Sequence, residues 1–188
     1  MKIIILEWIA TSGKTSIKKS LKKAFLQKGK KCYAIGEDKT LMPLMDNDDK
    51  LISIDFLQRL IGKSLTGKKD YIIFDRLYFT HIIKTNSTIK DFKAVEDLIK
   101  SFSMIVLLKV DETLIWERIK FSRKLREPSW SEYVDRKWND EEINGYYAKQ
   151  QKLLLELIAK TSLKHKIYDS SNNDFEDIAE DIIKSLND

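Results

Sequence analysis

A single cysteine, Cys32, excludes an internal disulfide framework and any cysteine-cluster metal site. Histidine is nearly as scarce: His81 and His165 are the two in 188 residues, which argues against a zinc centre. Pro43 and Pro128 are the two prolines, both in segments that read as loops, and neither marks a linker between domains. No apolar run reaches the ~20 residues of a membrane-spanning helix. The opening Met1-Lys2-Ile3-Ile4-Ile5-Leu6 is too short for the core of a secretory signal and has no small-residue cleavage site. These absences predict a cytoplasmic protein with no membrane partner. Charge of one sign is also limited, since 34 Lys and Arg face 29 Asp and Glu for a net +5. That balance gives little support to a nucleic-acid partner and suits a small phosphorylated anion equally well.

What is present is an alternation of short β-branched runs with longer amphipathic stretches, the pattern of a parallel sheet covered by helices. The pattern predicts strands over Lys2–Glu7, Lys31–Gly36, Tyr71–Phe74, Met104–Val110 and Lys166–Asp169. Helices are expected over Lys14–Gln27, Asp48–Leu65, Ser87–Ser101, about Glu112–Ser122, about Ser131–Lys160 and Asp174–Leu186. In the second of these, Leu51, Ile54, Leu57, Leu60 and Ile61 form an apolar stripe. The last is expected to be capped by Asp174. The layout is that of a three-layer α/β fold with a five-stranded parallel sheet, helices on both faces, and one domain spanning 1–188.

The first strand runs into Trp8-Ile9-Ala10-Thr11-Ser12-Gly13-Lys14-Thr15-Ser16, where a helix begins. Gly13-Lys14-Thr15 completes the second half of the Walker A phosphate loop. Gly13 lets the backbone turn its N–H groups onto a phosphate, Lys14 supplies a mobile positive charge, and Thr15 offers a hydroxyl to Mg²⁺. Ala10, Thr11, Ser12, Gly13, Lys14, Thr15 and Ser16 are therefore the expected ATP-binding segment, with the positive helix N-terminus behind them. The chain carries its own control in Gly62-Lys63-Ser64, which lies within an amphipathic helix without a preceding strand. Trp8 stands where the full pattern has glycine. Three readings are open for it: an outward ring on a loop that keeps negative φ, a distorted loop that binds ATP less well, or a core aromatic capping the sheet edge.

Ligands of open α/β sheets bind beyond the carboxyl ends of the strands. Ser12–Thr15, Glu37, Asp75 and Asp169 all follow predicted strands at that edge. Asp75 is a candidate for the Mg²⁺ shell or for orienting the acceptor hydroxyl, and Arg76 for clamping phosphate with its forked donors. Arg118, Arg123 and Arg126 lie in or just after the fourth helix, Arg118 and Arg126 about 80° apart on a continuous helix. They predict an arginine-bearing lid over about 118–132 that closes positive charge onto the γ-phosphate, with Glu127-Pro128-Ser129-Trp130 as its hinge. Trp130, Tyr133, Trp138, Tyr146 and Tyr147 are expected mainly to pack the long helix onto the core.

Leu6–Ser16, taken with Phe74-Asp75-Arg76, resembles the thymidylate kinase and deoxynucleoside kinase branch of P-loop kinases. In that group a strand ending in an acid, here Glu7, enters the phosphate loop, and the third strand ends in an Asp-Arg or Glu-Arg pair. The resemblance implies an ATP- and Mg²⁺-dependent kinase acting on a nucleoside or nucleoside monophosphate. It further implies Glu37 or Asp38 as the acceptor of the hydroxyl proton, Gln58 as a reader of a base edge, and a homodimer. Alternatives are a kinase for another small molecule or a polynucleotide end, and a non-catalytic nucleotide-binding module in which Trp8, Ala10 and Thr11 have altered the loop.

Overall fold

The structure is a computed structural model and describes residues 1–125 and 140–186. Its centre is β1 (Lys2–Trp8), whose Ile3, Ile4, Ile5 and Leu6 are fully buried. Burial on both faces is why this strand reads as a continuous apolar run rather than an alternating one. β3 (Tyr71–Asp75) and β4 (Ser103–Lys109) flank it in parallel, pairing Leu6 with Asp75 and with Val106. β2 (Cys32–Ile35) and β5 (Lys164–Asp169) form the two edges, giving the all-parallel order β2-β3-β1-β4-β5.

Successive side chains of β1 go to opposite layers. Ile4, Leu6 and Trp8 pack with Ile17, Leu21 and Phe25 of α1 (Lys14–Gln27) and with Ile178 and Ile182 of α8 (Phe175–Ser185). Ile3 and Ile5 face the other layer, built by α3 (Lys50–Ser64), α4 (Phe79–Lys84), α5 (Lys93–Ile99), α6 (Glu112–Leu125) and α7 (Asp140–Ile158). Helices therefore cover both faces, as the sequence predicts. A short α2 (Glu37–Thr40) and a 3-10 turn over Met42–Leu44 connect β2 to α3.

Several expectations need correction. The helix expected over Ser87–Ser101 is confined to Lys93–Ile99. Before it, the Asp91 carboxylate accepts bonds from the Thr88 N–H and hydroxyl, and the Thr85 and Ser87 hydroxyls meet at 2.8 Å. Such local side-chain bonds compete with the helix. Helix α4 has no counterpart in the sequence reading. Leu51 of the expected apolar stripe is 68% exposed, while Leu57 and Ile61 are buried. Asp49 caps α3 by accepting from the Leu51 and Ile52 N–H groups, whereas the Asp174 side chain makes no cap bond to α8. The Gly62-Lys63-Ser64 triplet lies inside α3, as expected of a copy unable to form a phosphate nest. Among the described residues no helix is long and apolar enough to cross a membrane.

Candidate active site

β1 ends at Trp8, and the chain turns back through Ile9–Gly13 into α1. Trp8 is a strand residue, 2% exposed and packed in the α1/α8 layer, and its φ is not positive. This decides the placement of its ring: Trp8 is a core aromatic. The left-handed turns fall instead at Thr11 (φ 75°) and Gly13 (φ 89°). Gly13 is required twice over, because a Cβ there would also lie 2.1 Å from the Phe175 ring. The first helical bond of α1 runs from the Ile17 N–H to the Gly13 carbonyl at 3.0 Å. The N–H groups of Lys14, Thr15 and Ser16 thus face out of the helix N-terminus with no acceptor inside the helix. No side chain caps that end and no acid sits in its first turn. The loop is held from behind: the Ser12 hydroxyl donates to the Ile9 carbonyl (3.1 Å), and the Ser170 hydroxyl donates to the Ser12 carbonyl (2.8 Å).

Five charged side chains, from α1, α2 and the end of β3, meet in front of this loop. Lys14 Nζ lies 2.7 Å from Glu37 Oε1 and 3.3 Å from Asp75 Oδ1. Arg76 Nε is 3.1 Å from the same Glu37 oxygen, an ion pair without hydrogen-bond alignment. Lys18, one turn along α1 and not singled out from the sequence, places its ammonium 2.5 Å from Asp75 Oδ2. Its signal was spacing: Lys14 and Lys18 are four apart and share a helix face. Burial alone would raise the Glu37 pKa, but Arg76 and Lys14 outweigh it and hold the carboxylate below its ordinary range. Lys14 Nζ also sits 5.3 Å from the Trp8 ring centroid, so the tryptophan walls one side of the lysine.

Glu7, fully buried in β1, anchors the turn after β3. Its Oε1 accepts the Leu77 N–H at 3.1 Å, next to Arg76, whose backbone is left-handed (φ 59°). Burial pushes the Glu7 carboxyl up to about 7, against the lowering effect of the Leu77 bond and of Arg76. A second brace joins α2 to β3. The Thr40 hydroxyl donates to the Asp75 carbonyl (2.8 Å), and the Thr40 carbonyl accepts from His81 Nε2 (2.8 Å). The carbonyl can only accept, so Nε2 carries the proton. Desolvation lowers the pKa of this fully buried ring and keeps it neutral. His81 is thereby a core histidine. His165 lies exposed on β5.

Of the expected site residues, the fold brings Gly13, Lys14, Glu37, Asp75 and Arg76 together and leaves Thr15 exposed on the first turn of α1. Arg118 donates to the carbonyls of Ser170 (2.6 Å) and Ser171 (2.8 Å), to Asn173 Oδ1 (2.9 Å), and more weakly to the Thr11 carbonyl (3.4 Å). It braces the back of the loop. Asp169 stands apart, accepting from Ser171 N–H (2.9 Å) with Lys109 Nζ at 3.3 Å. The Arg123 side chain and Arg126, with Trp130, Tyr133, Trp138 and the part of the expected lid after residue 125, lie outside the described residues. Tyr147 is buried in the core and Tyr146 is 41% exposed.

No family model and no curated protein matches the sequence. Solved structures do match over nearly the whole chain. The YorR protein of Bacillus subtilis, in complex with phosphorylated GDP, superposes with a TM-score of 0.67 at 17% identity, covering 99% of this chain and 96% of that one. Shikimate kinase from Bacteroides thetaiotaomicron gives 0.61 at 11% identity, over 99% and 98%. Deoxyadenosine kinase from M. mycoides, with dCMP and dCDP bound, gives 0.56 at 18%, over 98% of both chains. The fold is that of the P-loop kinases. Within this P-loop fold the two kinase neighbours act on different acceptors, a nucleoside and shikimate, so the shared architecture does not choose between them.

Proposed function

We propose that this chain is an ATP-dependent phosphotransferase moving the γ-phosphoryl group to a nucleoside or nucleoside monophosphate. The observation that carries this reading is the meeting of Lys14 of α1, Glu37 of α2 and the Asp75-Arg76 pair at the end of β3, at the mouth of an uncapped helix N-terminus with its N–H groups turned outward.

Phosphoryl transfer needs positioning and charge neutralisation rather than covalent chemistry from the protein. The loop N–H groups from Ala10 to Ser16 bind the phosphates, and Lys14 exchanges its ion pair with Glu37 for the outer phosphate oxygens. That exchange leaves Glu37 paired with Arg76 and open to accept a hydrogen bond from the acceptor hydroxyl. A carboxylate held below its ordinary pKa is a weak base, so Glu37 serves chiefly to orient that hydroxyl and takes its proton late. Arg76 grips the acceptor phosphate or the group in flight. Arg123 and Arg126 are assigned the role of bringing positive charge onto the γ-phosphate, and Arg118 keeps the loop in shape through its bonds to the Ser170–Asn173 turn.

Thr15 and Asp75 offer hard oxygen donors, and Asp75 Oδ1 is buried without a hydrogen bond, which suits a magnesium ion. A magnesium ion held by these two residues would supply charge neutralisation for the transferring phosphate. Lys18, now on the other oxygen of Asp75, orients the carboxylate for this role.

The test is ATP consumption with Mg²⁺ over a panel of nucleosides and nucleoside monophosphates, with Lys14→Ala alongside. Turnover on one acceptor that drops by about 10²–10³-fold in the variant is the expected result. ATP binding with no transfer to any member of the panel would favour another acceptor or a non-catalytic nucleotide-binding module. The shikimate kinase neighbour is the observation that keeps a non-nucleotide small acceptor as the second reading.

A further inference from the structure

The sequence Gly-Lys-Lys occurs twice, as Gly29-Lys30-Lys31 before β2 and as Gly67-Lys68-Lys69 before β3. Both glycines have positive φ, 65° and 93°, so each makes a tight turn that delivers two lysines at the start of a strand. β2 and β3 are neighbours in the sheet, so the two turns lie side by side at the amino edge, the end opposite the phosphate loop. They are also tied together. The Lys31 carbonyl accepts from the Asp70 N–H (3.0 Å) and the Tyr71 N–H (3.1 Å), and the Lys31 N–H donates to Asp70 Oδ2 (2.7 Å).

Together with Lys22 of α1, these four lysines line an open recess of about 550 Å³, and among the described residues no carboxylate lines it. Lysines elsewhere commonly have partners: Lys14, Lys18, Lys23, Lys50, Lys93 and Lys166 each hold an acid within 3.0 Å. Among the described residues, none of the five recess lysines forms an ion pair with a carboxylate. Asp70, the acid beside them, accepts the Lys31 N–H and makes no ion pair with a recess lysine, while Lys69 Nζ donates to the Ser64 carbonyl at 3.1 Å. Five like charges without an ion-paired acid, gathered on a braced frame, focus a positive potential into the recess. The rest of the lining is apolar: Leu26 is 77% exposed and Tyr33 47% exposed, the latter with Lys69 Nζ 5.2 Å from its ring centroid. Lysines are point-charge ligands for phosphate, and exposed aromatic and aliphatic faces take a flat ring.

We propose that this recess is a second anion site, remote from the phosphate loop, that binds a nucleoside polyphosphate with its phosphates on the paired Gly-Lys-Lys turns and its base against Tyr33 and Leu26. The site is independent of the kinase reading and is tested without turnover.

The experiment is calorimetric titration of a Lys14→Ala chain, in which the phosphate loop is disabled, with ATP, with inorganic tripolyphosphate and with an oligothymidylate. One saturable site is expected for ATP and for tripolyphosphate, with ATP the tighter, and both weaken at least about tenfold in K30Q/K31Q/K68Q/K69Q. Tyr33→Ala is expected to bring ATP down to the affinity of tripolyphosphate. If the fourfold variant does not fold by circular dichroism, the pairs K30Q/K31Q and K68Q/K69Q carry the same comparison. The proposal is overturned by ATP binding that ignores the lysines, by no binding at millimolar ligand, or by ATP no tighter than tripolyphosphate. Oligothymidylate binding well above ATP also overturns it, since that marks a nucleic-acid surface instead.

Discussion

Gly13 and Thr11 both hold left-handed backbone in the phosphate loop, and the side chains they carry set opposite expectations for mutation. Gly13→Ala places a Cβ against the Phe175 ring at a φ that alanine adopts poorly, so it should cost about 2 kcal/mol or more. Phe175→Ala removes the clash but not the backbone penalty, so the double variant should recover only part of the loss in urea denaturation. Thr11 is a β-branched residue at φ 75° whose buried hydroxyl has no hydrogen-bond partner. Thr11→Gly relieves both conditions and, after the entropy cost of glycine, should stabilise the protein by about 1 kcal/mol. A lower urea midpoint for that variant would mean the threonine is held by something its surroundings do not show. The glycine requirement was legible in the sequence from the Gly-Lys-Thr triplet. The turn at Thr11 was not, because the residue disfavours it and only the loop closing onto Ser170 and Arg118 imposes it.

The end of β1 and the turn after β3 are coupled through Glu7. In the folded protein this carboxyl keeps its proton up to about pH 7, against an ordinary value of 4.5. Between those two values the folded state binds the extra proton, so this group makes stability fall as pH rises from about 4.5 to 7 and leaves it level above. Glu7→Gln keeps an acceptor for the Leu77 N–H but cannot ionise. Its stability relative to wild type should climb across that window by on the order of 3 kcal/mol. Urea midpoints for both chains at pH 5, 6, 7 and 8 check this; parallel curves would show that Glu7 is not the titrating group. The acid at the end of β1 was visible in the sequence. That it works under the Asp75–Arg76 turn, seventy residues away, depends on β1 and β3 being paired in register, with Leu6 opposite Asp75.

A buried polar network joins elements on the far layer. The Tyr78 hydroxyl lies 2.6 Å from Glu96 Oε1 and 2.9 Å from the Thr161 hydroxyl, and the Ser162 hydroxyl donates to Glu96 Oε2 at 2.8 Å. These contacts link the start of α4, α5 and the turn between α7 and β5. Glu96 is 2% exposed, so Tyr78→Phe withdraws a donor from a buried carboxylate and should cost about 1–3 kcal/mol. Nucleotide affinity should be unchanged, because the network lies away from Lys14. In the same assay, ATP at about 100 times its Kd should raise the unfolding free energy of wild type by about 2.7 kcal/mol. Lys14→Ala should lose the part of that protection that comes from the phosphate loop. What the variant retains should disappear in K30Q/K31Q/K68Q/K69Q, which removes the lysine recess.

The sequence by itself settled the local matters: five β-branched runs as strands, the strand-to-helix junction at Gly13, and the false Gly-Lys-Ser copy inside α3. These follow from period and turn chemistry, which act over a few residues. It missed α4 and overextended α5, where side-chain bonds to the backbone among residues 85–91 compete with helical periodicity. Only the tertiary structure decided the strand order, because parallel neighbours are joined through helices and adjacency in space is not adjacency in the chain. The same order put Lys18 on Asp75, sent Trp8 into the core, and turned Arg118 toward the Ser170–Asn173 turn. It also laid two Gly-Lys-Lys turns, thirty-eight residues apart, beside one another. Each of these depends on which strand lies next to which, and burial of both sheet faces decides that.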